Sequence, residues 1–381
     1  MNKAFDVAVI GAGSTGVTTA YYLAKEGFRV LVIDKRGVAQ GMTAYSLGLV
    51  RSYYANEDVA RMSHYSHGFF MNFEREFGVD VFTKTGLLVI SNDEAGMRRT
   101  FDMLRSIGAN VRLLSGDEVR EALNASTTWG GEVGVYEEDA GYVDTGLYTN
   151  TVMNRARELG VELVIDEAQV KFEGNEVAGV RLINSGEVVR ANHYVIATNV
   201  WTQKLLPQLN LPIKNIIERV IRVEIGRSLP NVFDYVNNFY IRPEGSRYGL
   251  MGLLYPPEDA WPNPDDFNPL AEPEFDYAVN VMENAAKRMP WFINAKYLGG
   301  WRGGLYDVTP DWMPIIDEPV KDLIVVVGLS GHGFKLAPAF ALIVTELVKY
   351  GKVRTFKDIF RLSRFKEGRL IQGTVQERAA F

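Results

Sequence analysis

The sequence predicts an α/β protein, α+β overall, built on a doubly wound Rossmann-type domain with a second domain beside it. Three observations carry this prediction. A short apolar run at the start of the chain leads straight into Gly11-Ala-Gly13-Ser-Thr-Gly16. A strand, a glycine turn and a helix recur near the other end, over 323–350. The length, 381 residues, exceeds what one hydrophobic core usually sustains, which implies two domains or one large domain with a substantial insertion.

Taken in order, Phe5 to Ile10 reads as a buried strand rich in Val and Ile. The helix 14–26 follows, with Val17, Ala20, Tyr21 and Ala24 at helical spacing and Gly27 placed to end it. A second buried strand, 28–33, closes on Asp34, so the unit is β-α-β with parallel strands and a right-handed crossover. Further on, the pattern predicts a helix at 63–73, a strand at 85–91 and helices at 95–107, 116–122 and 146–159. Four strands, 161–166, 169–173, 176–183 and 187–197, then read as one meander. Residues 255–273 hold six prolines and must be an irregular excursion, assigned to the second domain. The strand 323–328, the turn Ser330-Gly-His-Gly333 and the helix 337–350 end the pattern.

Composition excludes several functions. With 41 basic and 47 acidic residues, scattered along the chain, the net charge of −6 provides no electrostatic footprint for nucleic acid. The chain has no cysteine, which removes disulfides, Cys-based zinc and iron–sulfur sites, a Cys nucleophile and flavin attachment through sulfur. No apolar stretch reaches the roughly 18 to 20 residues of a spanning helix, and the N-terminal run is no signal peptide. The expected location is the cytoplasm.

Gly11, Gly13 and Gly16 match the dinucleotide fingerprint in its confirming context, with a strand before, a helix after and an acid about 20 residues on. Gly11 makes the tight turn, Gly13 admits a pyrophosphate and Gly16 lets the helix pack on the strand. Phosphates then sit on the helix N-terminus, and Asp34 accepts the ribose hydroxyls. Asp34-Lys35 suits NAD or FAD alike. A second glycine turn only at 328–333 means that both chain ends touch the cofactor, which reads as FAD.

With these motifs the chain resembles the FAD-dependent D-amino-acid-oxidase superfamily, in its branch of sarcosine oxidases and sarcosine and proline dehydrogenase subunits. The resemblance spans nearly the whole chain. Besides the first glycine turn with Asp34, it rests on Gly141-Tyr-Val-Asp-Thr145, Ala197-Thr-Asn-Val-Trp201, Leu305-Tyr-Asp-Val-Thr-Pro-Asp311 and Gly328-Leu-Ser-Gly-His-Gly-Phe-Lys335. It implies an FAD domain assembled from 1–80, 141–215 and 300–381, and a substrate domain of 81–140 and 216–299 whose antiparallel sheet covers the flavin ring. The implied cofactor contacts are Gly11, Gly13, Ser14, Thr15, Gly16, Asp34, Lys35, Thr43, Val170, Ala197, Gly304, Gly331, His332, Gly333, Phe334 and Lys335. In the family an Arg and the Lys of the GHGFK motif grip a substrate carboxylate, and these positions match Arg51 and Lys335; a surface arginine and a helix-start lysine are the bland alternatives. Tyr240 and Tyr306 match tyrosines that line the substrate site, or are core residues in a chain with 18 tyrosines.

Two departures from the family are informative. Where the monomeric oxidases attach flavin to a Cys, this chain has Gly304, so FAD is expected to be non-covalent. Where they carry an oxygen-activating Lys, the strand 248–252 offers Leu250 or Met251. Developing superoxide then lacks a positive partner, which favours a dehydrogenase over an oxidase.

Other constellations carry less. His64 and His67 stand at i and i+3 with no third ligand at metal spacing, so no metal site is expected. Glu137-Glu138-Asp139 reads as a solvated turn. Ser330 lacks a nucleophile elbow.

The expected reaction is therefore hydride removal from a small, secondary amino acid such as sarcosine or proline, giving an imine. No dedicated base is evident, and burial beside two cations disfavours the ammonium form. A D-amino-acid or glycine oxidase and an FAD-bearing subunit of a hetero-oligomeric electron-transfer complex are the alternatives. The electron acceptor leaves no motif, and either a homo- or a hetero-oligomer is compatible with the chain.

Overall fold

The computed structural model describes residues 5–123 and 131–371. The outermost residues of the 1–80 and 300–381 stretches, and 124–130, lie outside it. Its first sheet has six strands, in the order Ile315–Val320, Leu323–Val327, Ala191–Ile196, Phe5–Ile10, Val30–Asp34 and Glu162–Ile165. All neighbours are parallel except the edge strand Ile315–Val320. Alternation explains why the first strand reads as a continuous apolar run. Val7 and Val9 point to one face, among Val17, Ala20 and Phe340 of the covering helices Ser14–Lys25 and Ala337–Tyr350. Ala8 and Ile10 point to the other, against Val170, Val180 and Leu182 of a small antiparallel sheet.

The second large sheet has eight strands, in the order Lys296–Val308, Lys214–Glu224, Tyr248–Gly252, Phe239–Glu244, Asn231–Asp234, Leu87–Ser91, Val133–Glu137 and Val111–Leu114. Only the Asn231–Asp234 and Leu87–Ser91 pair is parallel. The helix Phe275–Arg288 covers one face, with Tyr277, Val281 and Ala285 packed on Ile221, Val232 and Met251. The fold is thus the mixed α/β class expected from sequence, a Rossmann-type sheet joined to an antiparallel one.

The predicted meander is corrected. Glu162–Ile165 and Ala191–Ile196 both enter the parallel sheet, on either side of the first β-α-β unit, while Ala168–Glu173, Glu176–Leu182 and Val188–Val189 form the small sheet between them. What reads as one strand, 187–197, is two strands in different sheets. Local pattern marks extended segments but carries no information about which partner each one finds.

The proline-rich segment is irregular, as expected, but it is docked rather than loose. The Ile217 and Trp261 amides donate to the Asp259 and Asn215 carbonyls, so the segment adds itself to the edge of the strand Lys214–Glu224. Among the described residues no helix is long and apolar enough to cross a membrane.

Candidate active site

A cavity of about 540 Å³ opens where the strands of the parallel sheet end, with Glu218, Gly304 and Tyr306 of the two long antiparallel strands on its far side. Its near wall is the first glycine turn. Gly11 sits at φ +110°, and a Cβ there would run into the Ala197 carbonyl oxygen; a Cβ on Gly16 would run into the Gly11 carbonyl. These two glycines are therefore demanded by the protein's own packing, and Gly13, Ser14 and Thr15 line the cavity beside them.

The helix Ser14–Lys25 begins at Gly13 without a side-chain cap. The Ser14 amide donates to the Thr43 hydroxyl (3.0 Å), and the turn otherwise presents the positive end of the helix to the cavity. Asp34 fixes the turn and faces the cavity at once. One carboxylate oxygen accepts from the Ala12 amide (2.8 Å), the other from the Arg36 and Gly37 amides. Lys35 also lines the cavity, its ammonium over the Trp201 ring and 2.7 Å from Asp265 of the proline-rich segment. Lys204 pairs with the same carboxylate. Hydrogen bonds from Lys204 and then Lys35 and Trp201 hold Asp265 well below the usual carboxylate range.

The second glycine turn closes the far end. Asp307, fully buried, accepts from the Gly328 amide (2.7 Å), the Leu329 amide (3.1 Å) and the Asn199 side-chain amide (2.6 Å). Burial pushes its carboxyl up to about 7 in spite of these donors. Gly331, Gly333, Phe334 and Lys335 line the cavity, and the Thr15 hydroxyl reaches the Gly333 carbonyl, so the two chain ends meet. His332 does not reach the cavity. Its Nε2 donates to the Trp312 carbonyl (3.1 Å) and its Nδ1 accepts from the Tyr54 hydroxyl (2.8 Å), a neutral tautomer assigned from the carbonyl partner. Burial first, then Lys335 and Arg51, hold it well below the usual histidine range.

Lys335 is buried, with its ammonium donating to the Gly331 carbonyl (2.9 Å). Burial, followed by repulsion from Arg51, pushes it well below the ordinary lysine value. Arg51 is also buried, behind the wall, with its guanidinium over the rings of Tyr54 (4.8 Å) and Phe233 (5.0 Å). A buried tripod holds its backbone. Glu137 accepts from the Ser52 amide (2.6 Å) and the Tyr53 amide (2.9 Å), and the Ser63 hydroxyl donates to the Arg51 carbonyl (2.6 Å). Glu137 is thus no part of a solvated turn, a correction to the sequence reading: it ends a buried strand because two orphan amides need an acceptor. Glu138 and Asp139 do sit on the turn, paired with Arg112 and Lys84. His64 and His67 both direct Nδ1 at the Ser52 hydroxyl.

Tyr306 lines the cavity; Tyr240 stands one layer behind it, donating to Glu218 Oε1 (3.2 Å). Thr43, Val170, Ala197 and Gly304 all line the cavity. A Cβ at Gly304 would make only ordinary contacts, with Met42 Sδ (3.5 Å) and Tyr45 Cβ (3.8 Å). Met251 packs into the core of the antiparallel sheet. Sequence reasoning missed Glu218, Asp307 and Asp265. Asp307 lies inside the motif Leu305 to Asp311, but Glu218 and Asp265 are brought to the cavity by strand pairing and loop docking that no local pattern announces.

This arrangement suits a dinucleotide at one end and an anion at the other. A glycine cradle, an uncapped helix end and a carboxylate acceptor fit the ADP half of FAD, and no step in loading it needs a thiol, which the chain lacks.

Comparison with known proteins agrees. The family described as FAD dependent oxidoreductase matches residues 6–347. The chain is 25% identical to the human (Homo sapiens) peroxisomal sarcosine oxidase, over 95% of this chain and 96% of that one. It is 24% identical to the sarcosine oxidase subunit beta of Arthrobacter sp, over 97% and 93%. Among solved structures it is similar to the L-proline dehydrogenase from P. horikoshii, with a TM-score of 0.86, 26% identity, and coverage of 97% of this chain and 100% of that one. The chain belongs to the family of FAD dependent oxidoreductases.

Proposed function

We propose, from this membership, that the protein oxidises the C–N bond of a small amino acid, a secondary one such as sarcosine or proline, to the imine, and hands the electrons to an acceptor other than oxygen. The observation that carries the proposal is Lys335, a buried ammonium on the cavity wall, with the like-charged Arg51 buried behind that wall. A buried ammonium on a cavity wall is costly to keep charged, and a substrate carboxylate entering the cavity offsets that cost at Lys335. Arg51 suits it because a planar fork meets both carboxylate oxygens; Lys335 adds a point charge from the cavity wall.

The same reading divides the remaining residues by task. Gly11, Gly13, Gly16, Ser14, Thr15, Thr43 and Asp34 hold the dinucleotide's pyrophosphate and ribose; Lys35, Val170 and Ala197 flank it. Gly304, Gly331, Gly333 and Phe334 border the reacting end, His332 braces the second turn from behind, and Tyr306 and Tyr240 wall the substrate. We assign 1–80, 141–215 and 300–381 to cofactor binding and 81–140 with 216–299 to the substrate side. When bound, FAD supplies the two-electron acceptor. The chain's own contribution is orientation, exclusion of water and electrostatics.

The dehydrogenase assignment rests on Leu250 and Met251, which place no cation on their strand. The alternative of an FAD-bearing subunit draws on the likeness to a sarcosine oxidase subunit and on large exposed apolar side chains, Leu270, Phe275 and Ile293, the last 81% exposed. Anaerobic mixing of the flavin-loaded protein with sarcosine, L-proline, D-proline and glycine, followed by air, tests the proposal. Bleaching by one secondary amino acid with slow recovery in air is expected. Fast recovery with peroxide identifies an oxidase, and a loaded flavin that no amino acid bleaches contradicts the substrate class.

A further inference from the structure

Of the acids around the cavity, Glu218 is the one whose environment has no evident structural purpose. It lies on the strand Lys214–Glu224 directly opposite Gly304 and is buried. Its Oε1 accepts from the Tyr240 hydroxyl (3.2 Å), whereas Oε2 has no hydrogen-bond partner among the described residues. The residue lines the same cavity as Lys335 and Tyr306. A buried carboxyl oxygen left without a partner is costly to keep, and replacing the residue by an apolar one of the same shape would remove that cost. Its neighbour Arg219 does not relieve it, since that guanidinium turns to Glu274 (2.6 Å) and Asp259 (2.7 Å) on the other side of the sheet.

Resting on the amino-acid reading above, we infer that Glu218 receives the substrate nitrogen: Oε2, with Oε1 held by Tyr240, accepts the ammonium N–H and then takes its proton. The N–H bond breaks, an O–H bond forms on Oε2, and the electron pair stays on nitrogen. A neutral amine is what the oxidation requires, because that pair becomes the second bond of the imine when the hydride leaves carbon for the flavin oxidant. The carboxylate of the substrate then lies toward Arg51 and Lys335 and its nitrogen toward Glu218, which gives the cavity a cationic and an acidic pole matched to the two ends of a zwitterion.

Electrostatics agree with a proton-accepting role. Burial raises the Glu218 carboxyl to about 8, opposed by the Tyr240 hydrogen bond and by Arg219. The other titratable groups facing it are phenols: Tyr240 from the neighbouring antiparallel strand, Tyr306 from the strand it pairs with and Tyr277 from the covering helix, each raised by burial and then by the Glu218 charge, so they stay neutral. A group poised near the working pH is the effective one for general base catalysis.

The test compares wild type with Glu218→Gln and Glu218→Asp in the flavin-loaded protein. Gln keeps an oxygen for Tyr240 and cannot take a proton. Anaerobic reduction by the best amino acid, read as flavin bleaching per unit substrate concentration, is expected to rise tenfold per pH unit and to level near pH 8 in wild type. In E218Q it is expected to be about 100-fold slower at pH 7 and to keep rising until the substrate amine itself loses its proton. E218D should restore a levelling below that of E218Q. Binding of tetrahydrofuran-2-carboxylate, which has the carboxylate but no amine, is read from the shift of the flavin visible band and should stay within about threefold in E218Q. An unchanged pH profile in E218Q overturns the inference, as does an equal loss of affinity for the amine-free ligand, which would mark a structural role. If wild type is bleached by no amino acid, it is the amino-acid reading itself that fails.

Discussion

The two ends of the cavity handle charge in opposite ways. Around the first glycine turn the charged side chains are partly exposed and paired: Lys35 and Lys204 share Asp265, and Asp34 is satisfied by backbone amides. Around the second, Asp307, His332, Lys335 and, across the cavity, Glu218 are buried, and burial drives each toward its neutral form. The first end presents backbone geometry, which pH does not change. The second holds titratable groups out of water, which makes it costly to fold and sensitive to pH, the usual signature of a reacting site.

The comparison is broken most completely at Gly11. Gly11→Val sets a branched side chain against the Ala197 carbonyl at a positive φ, and the purified protein is expected to carry almost no flavin, read as the ratio of visible to ultraviolet absorbance. A yellow variant would mean that the turn does not cradle the cofactor. At the other end, Lys335→Met should leave flavin loading intact while weakening the carboxylate ligand by about 100-fold or more, the scale of losing a buried charged partner. If loading and ligand affinity fall together, the two ends are not separable.

Asp307→Asn sharpens the contrast through pH. The Asp307 carboxyl is raised from its unfolded value near 3.8 to about 7, so the folded state binds more protons across that window and this group's stabilising contribution is lost as pH rises through it. Asn cannot titrate. The variant should therefore melt below wild type at pH 4, where the Asp307 carboxyl is protonated in the buried turn, with the deficit narrowing toward pH 7. A deficit constant from pH 4 to 7 would show that Asp307 does not titrate there. The smallest effect belongs to Lys204→Ala at the first end: a partly exposed pair contributes about 1 kcal/mol or less, so flavin affinity should change by less than about fivefold, and less still in high salt.

The same contrast decides what was legible in the sequence. The first end is written locally: Gly11, Gly13, Gly16 and Asp34 lie within one β-α-β unit, and their spacing is dictated by a turn, a helix start and a strand end. The second turn was legible as a strand, a glycine turn and a helix over 323–350, but the roles of its residues, Lys335 above all, only by likeness to a family. Glu137 meets the backbone beside Arg51, and Glu218 meets Gly304 and Tyr240, through pairings over long separations in sequence, which explains why Glu137 read as a solvated turn and Glu218 not at all. The meander over 161–197 failed for the same reason, because strand patterns specify burial and not neighbours. The long strands Lys214–Glu224 and Lys296–Val308, which carry the far wall, were not marked by any local signal used for the first unit.

The most direct measurement of the central claim, that Arg51 and Lys335 hold a substrate carboxylate beside the flavin, pairs an amino acid with its own amide. Anaerobic flavin reduction by L-proline or sarcosine, whichever is the better reductant, is compared with reduction by prolinamide or sarcosinamide in wild type and in K335M. The amide is expected to reduce wild type at least about 100-fold less efficiently than the acid, and K335M to narrow the difference to less than about tenfold. An amide that reduces wild type as fast as the acid would contradict the claim.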